Sequence, residues 1–278
     1  MSNKIIFPIL ATAFITFLLY QFTSIVPPAK LKAKMAMEAT PKVAKITLDT
    51  ILAELYAKMK PTDVNNVKQL YLNLDAPNAN KASIYKQLSN FWLSANLYEP
   101  YVAAESKLAQ LDSSENNLTF VAHSVLERLL VLNNTRYSNW LAQEAQTLFN
   151  KALVANPNND STNVGLGATY MFGNNQNPME GILKVKTVAD KDSSNIFAQY
   201  ILGVGNSING MTDKAIDRFN NVLKLNPKHV NALLRLGGIY ADKGDVKNAK
   251  ETYKKLLPLA ANKEQVAELE KIISSLKN

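Results

Sequence analysis

The sequence predicts an all-α protein, with a single N-terminal transmembrane helix followed by a solenoid of helical hairpins. Three observations predict it. Large and small residues recur at a 34-residue interval between "YILGVGNSINGMTDKAIDRFNNVL" (200–223) and "LRLGGIYADKGDVKNAKETYKKLL" (234–257). After residue 46, apolar residues recur at three- and four-residue steps, and no alternating strand pattern of useful length appears. The segment "IIFPILATAFITFLLYQFTSIV", Ile5 to Val26, carries no charge.

The uncharged segment comes first. Its 22 residues, at about 1.5 Å each, give roughly 33 Å, enough to cross a bilayer core of about 30 Å. A cleaved signal peptide would have an apolar run of about 7–15 residues ending in a small-x-small site. Here the run continues to Tyr20 and no alanine lies between Ala13 and Ala29, which favours a retained anchor over residues 1–26. Residues 27–46 open with Pro27-Pro28 and are rich in Ala and Lys, a juxtamembrane linker. Lys30, Lys32 and Lys34 are its candidate membrane-surface residues, at about 1 kcal/mol each beside anionic headgroups; the competing reading is a solvated tether. Counted simply, these lysines keep the C-terminal part in the cytoplasm, whereas the short positive leader at Lys4 equally suits a signal-anchor that exports it.

Charge follows the same division. Residues 1–60 carry eight lysines against three carboxylates, a net +5, whereas the other 218 residues hold 23 basic and 20 acidic groups, a net +3. A nucleic-acid binder would place its basic excess on the folded domain. This excess surrounds an apolar segment instead and points to a membrane surface, not to nucleic acid. With no cysteine, disulfides, thiol catalysis and thiolate metal sites are excluded.

Residues 47–117 read as a degenerate helical region. "TLDTILAELYAKM" and "DVNNVKQLYLNL" are loose helices, and "SIYKQLSNFWLSANLYEPYVAAESKLAQL" is a looser pair with Trp92 at an aromatic position. Residues 118–261 carry the period, which at 34 residues describes pairs of helices. In the last complete pair, the first helix covers about Val230–Asp242. Lys243-Gly244 turns, and Asp245 caps a second helix over about Val246–Leu257. Gly237 and Ala249 let the two backbones approach, with Leu236, Tyr240, Tyr253 and Leu256 around the contact. One pair cannot bury its own apolar surface, so each stacks on the next. Residues 262–278 place Val266, Leu269, Ile272, Ile273 and Leu276 on one face, as a terminal capping helix does.

The pattern resembles the tetratricopeptide repeat. The residues that carry it are Leu202, Gly203, Gly210, Ala215, Phe219 and Pro227 in one unit, and Leu236, Gly237, Tyr240, Gly244, Ala249 and Tyr253 in the next. A preceding unit keeps Leu166, Gly167 and Tyr170, with Gly181 in the place of the second-helix alanine once the turn is two residues longer. Before it, Ala145, Phe149, Ala152 and Pro157 match a second helix whose partner lies around Thr119–Leu132, joined through Asn133-Asn134. Asn206, where an aromatic is usual, and Pro258, three residues early, depart from the pattern.

Enzymatic chemistry finds no constellation. The two histidines are His123, on a helix with no ligand pattern nearby, and His229, in "NPKHVNA", read as a solvated turn residue. No P-loop, G-x-S-x-G or H-E-x-x-H occurs. Glu264, Glu268 and Glu270 read as a solvated helix face. The expectation is therefore a non-enzymatic protein with no cofactor, no metal site and no small-molecule substrate.

The resemblance implies a concave groove lined by the first helix of each pair. Stepping from the consensus leucines, its candidate residues are Val164, Ala168, Met171 and Phe172, then Phe197, Tyr200, Val204 and Ile208, then Asn231, Leu234, Gly238 and Asp242. The first two sets are apolar and suit an amphipathic helix or extended apolar peptide; the alternative is that Phe197 and Tyr200 pack inside the stack. They lack the Lys, Asn and Arg with which repeats of this family grip acidic chaperone tails. The layout also resembles single-pass, membrane-anchored repeat proteins of the Bacteroidetes cell envelope, which implies an inner-membrane location with the repeats in the periplasm. The expectation is a membrane-anchored scaffold or adaptor for a protein or peptide partner. Its alternatives are an accessory subunit of a membrane machine, such as the Sec translocon with its periplasmic chaperones, and a structural envelope-assembly factor.

Overall fold

The computed structural model describes residues 46–132, 136–173 and 178–276. The expected anchor (1–26), the linker lysines Lys30, Lys32 and Lys34, and the Asn133-Asn134 connection lie outside the described residues. Among those described there are thirteen α-helices, one 3₁₀ turn and no strand, and no helix is long and apolar enough to cross a membrane. The chain divides into two compact units between Val188 and Ala189.

The first unit holds α1 (Leu48–Tyr56), α2 (Pro61–Asn73), α3 (Lys81–Ser94), α4 (Tyr98–Asp112), α5 (Glu115–Leu132), α6 (Ser138–Ala155), α7 (Asp160–Phe172) and most of α8 (Pro178–Lys191). Helices α3 and α4, and α5 and α6, form antiparallel pairs, and the second helix of each packs on the first helix of the next. The looser N-terminal helices do build a core: Leu52, Val67, Ile84, Leu88, Trp92 and Ala104 are buried together, with Tyr71, Tyr85 and Tyr101 packed at their edge. Trp92, with no solvent exposure, sits in this core where the repeat pattern has decayed.

The second unit holds α9 (Ile196–Ile208), α10 (Thr212–Leu225), α11 (Val230–Asp242), α12 (Val246–Lys254) and α13 (Lys263–Ser275). Here α9 pairs with α10 and α11 with α12, while α10 packs on α11 and α12 on α13. The turns within both pairs use glycine in the left-handed region, Gly210 at φ 72° and Gly244 at φ 75°, a conformation that penalises a Cβ. Asp245 caps α12 as expected, its Oδ1 accepting from Asn248 N–H at 3.2 Å. Helix α12 ends at Lys254, short of the expected Leu257, because Pro258 offers no N–H and sits in the 3₁₀ turn Leu257–Leu259. Asn262 starts α13 by accepting from Gln265 N–H at 2.9 Å.

The close contact inside the pairs of the second unit sets a glycine against a ring. The space beside Gly237 is filled by the Tyr253 ring, so that a Cβ there would lie 2.7 Å from Cε1, and Gly203 faces the Phe219 ring in the same way at 2.9 Å. In the α7/α8 pair, glycine meets glycine. A Cβ on Gly167 would lie 2.8 Å from the carbonyl oxygen of Gly181 and from Val185 Cγ2. Val185 stands 34 residues before Phe219, and its smaller side chain lets these backbones touch.

Candidate partner-binding face

The first helices of the pairs begin alike. Asn159, Asn195 and His229 are the N-caps of α7, α9 and α11, accepting from Thr162 N–H at 3.0 Å, Ala198 N–H at 2.9 Å and Ala232 N–H at 3.2 Å. The linkers before the last two also match. Asp192 Oδ1 accepts from Ser194 N–H at 2.9 Å, and Asn226 Oδ1 from Lys228 N–H at 3.1 Å. His229 is therefore a half-buried cap and not the solvated turn residue expected: its ring leaves water to lie 5.1 Å from the ring of Tyr200. Burial holds its pKa below the ordinary histidine value.

In the second unit, Tyr200, Val204 and Leu234 are buried, at 5%, 0% and 3% exposure. Tyr200 is held by three neighbours: His229, the Phe219 ring at 6.0 Å, and Arg235, whose Nε donates to its Oη at 3.2 Å. Phe197, Asn231 and Gly238 are half-buried, and Ile208 and Asp242 are exposed. Met211, 41% exposed beside Ile208, was not among the expected residues and extends the apolar edge. The accessible part of this face is thus Phe197, Ile208 and Met211 on one repeat, with Asn231, Gly238 and Asp242 on the next.

In the first unit, Val164 and Ala168 are fully buried, while Met171 and Phe172 are half-buried. The four do not form a continuous accessible strip; of them, only Met171 and Phe172 at the end of α7 reach solvent. The N-terminal ends of α5 and α7 are joined by a polar seam that sequence reasoning missed. Glu115 accepts from Asn159 Nδ2 at 2.5 Å, Thr119 and Thr162 share a hydrogen bond at 3.1 Å, and so do His123 and Ser161 at 3.0 Å. The spacing of Glu115, Thr119 and His123 at four-residue steps was the available signal. His123 packs edge-on against Phe149 at 5.1 Å, and burial lowers its pKa to about 4. Glu264 and Glu270 are exposed as expected, whereas Glu268 is half-buried with one shielded carboxylate oxygen. Among the described residues, no three His, Asp or Glu side chains are grouped to hold a metal ion.

With helix pairs, glycine-to-ring contacts and shared caps in place, the family comparison falls on α10 to α13. Residues 208–272 match the tetratricopeptide repeat. A curated relative, the probable UDP-N-acetylglucosamine–peptide N-acetylglucosaminyltransferase SPINDLY of Hordeum vulgare, is 36% identical over 69 residues. That stretch is 25% of this chain and 7% of the transferase, so the chain spans far less than two thirds of that relative. Similar solved structures include YrrB, described as a TPR protein with an unusual peptide-binding site, at 22% identity over 68% of this chain and 92% of that one, with a TM-score of 0.38. MamA is 28% identical over 48% of this chain and 85% of that one, with a TM-score of 0.35. MamA 41-end from Desulfovibrio magneticus RS-1 is 19% identical over 70% and 98%, with a TM-score of 0.36.

Proposed function

We propose that this chain is a non-enzymatic tetratricopeptide scaffold, held at the inner membrane by residues 5–26, that binds a protein or peptide partner on the accessible face of α9 and α11. The observation that supports it best is the ion pair of Lys243 with Asp213 at 2.8 Å, which brings the end of α11, with exposed Asp242, to the start of α10, just after exposed Ile208 and Met211, within a segment largely matched to this repeat. An apolar edge next to a polar one suits an amphipathic segment, whose apolar side covers Ile208 and Met211 while its polar side meets Asn231 and Asp242. Buried Tyr200, Val204 and Leu234 form the rigid floor beneath. The uncharged run from Ile5 to Val26 and the lysines that follow support membrane attachment, and the resemblance to envelope proteins favours repeats in the periplasm.

The test is a paired substitution in the full chain. Tyr200→Asp is unsuitable, because a carboxylate in that buried site would disrupt the unit itself. Ile208→Asp with Met211→Asp changes exposed positions only. It leaves helical content unchanged and lowers partner recovery from solubilised membranes at least tenfold. Undiminished recovery by a folded double variant would move the partner to another surface.

A further inference from the structure

We propose that His229 is an acid-sensitive N-cap that regulates the face formed by α9 and α11. Three equivalent caps start α7, α9 and α11, and only this one can take up a proton. His229 Nδ1 accepts from Ala232 N–H, so it must present a lone pair. A proton on Nδ1 would replace the acceptor with a donor aimed at a donor, and would place a cation at the positive end of the α11 dipole.

The surroundings strengthen this. Tyr200 from α9 faces the His229 ring, Arg235 from α11 reaches that tyrosine, and Lys228 precedes His229 in the linker. Tyr200 lies 5.1 Å away ring to ring and accepts from Arg235, while Arg218 donates to Gln199, the residue beside Tyr200. Burial of the ring is what favours the neutral imidazole. The sign follows: the folded state holds His229 more weakly protonated than the unfolded chain does. Its contribution is complete above the ordinary value of 6.5 and is lost as pH falls below it. The first turn of α11 carries Asn231, and the His229 ring supports Tyr200, so releasing the cap moves both the rim and the floor of the face. The regulatory consequence rests on the partner-binding reading above; the cap switch does not.

Hydrogen–deuterium exchange of the full chain in detergent, without partner, tests the switch at pH 7.5 and 5.5 after correction for intrinsic exchange. Protection over residues 230–235 should fall about fivefold, the effect of losing one cap, while the Asn195-capped start of α9 stays constant. His229→Asn, which installs the cap its sister repeats use, should keep full protection at both pH values. Equal behaviour of the two segments in the natural chain, or an acid response that persists in His229→Asn, would overturn the switch. Photo-crosslinking from position 208 in native membranes then tests the regulation. A partner adduct that weakens at pH 5.5 in the natural chain but not in His229→Asn supports it. An adduct insensitive to pH overturns the regulation alone, and no adduct at either pH overturns the partner-binding reading with it.

Discussion

The α7/α8 pair and the α9/α10 pair solve one packing problem in opposite ways. Both place a glycine at the same point of the first helix, Gly167 and Gly203. Between α9 and α10 the space is filled by a ring, Phe219, with no solvent exposure. Between α7 and α8 it is closed jointly by a side chain and by backbone, Val185 Cγ2 and the Gly181 carbonyl each lying 2.8 Å from where a Cβ on Gly167 would stand. A ring can tilt to admit a methyl group, whereas a helix carbonyl moves only with its helix. A repeat can thus keep its period while exchanging a tolerant contact for an intolerant one.

The largest expected effect breaks the ring-filled side. Phe219→Ala leaves a cavity beneath Tyr200 and should destabilise the second unit by about 3–5 kcal/mol, read as lost exchange protection over α9 to α11. Removal of a ring has no counterpart in α7/α8, where none is present at position 185.

Acid should weaken the first unit next, through His123, by more than it weakens the start of α11 through His229. With His123 at about 4 in the folded state and 6.5 otherwise, the first unit is fully stabilised by this group above pH 6.5. It then loses about 3 kcal/mol as pH falls to 4. Trp92 and Trp140, the only tryptophans, both lie in the first unit, so urea titrations followed by tryptophan fluorescence read this unit. His123→Gln should flatten the pH dependence.

Two methyl additions sharpen the comparison itself. Gly181→Ala drives a Cβ against the Gly167 carbonyl and should cost about 3 kcal/mol, the upper end for overpacking, visible in the same fluorescence titration. The atoms nearest to the new methyl of Gly237→Ala are those of the Tyr253 ring, and the clash is offset by a helix-propensity gain of about 1 kcal/mol. Its net loss should be about 1 kcal/mol, read by exchange protection over α11 and α12.

Local chemistry made much of this legible. The ends of α11, the Asp245 cap and the two turn glycines follow from caps and turns that act within four residues, and those ends coincide with the expected Val230–Asp242. The burial of Tyr200 was one of two alternatives the sequence left open; stepping from Leu202 could not decide between them, because the burial depends on His229 and Arg235, which belong to the next repeat. His229 itself was misjudged by residue type, since histidine is an unusual cap. Its equivalence to Asn195, three residues after Asn226 as Asn195 follows Asp192, was the signal that would have found it. The α12 end was overrun because the apolar pattern continues through Leu256 and Leu257 while Pro258 removes the hydrogen bond that would extend the helix.

The most direct measurement is site-specific photo-crosslinking of the full chain in its native membrane, with the probe at position 208 and a control at exposed Lys224. The account predicts one recurrent protein adduct from position 208, lost when Phe197 is replaced by Asp, and none from position 224. Equal labelling from both positions, or no adduct from position 208, would contradict it.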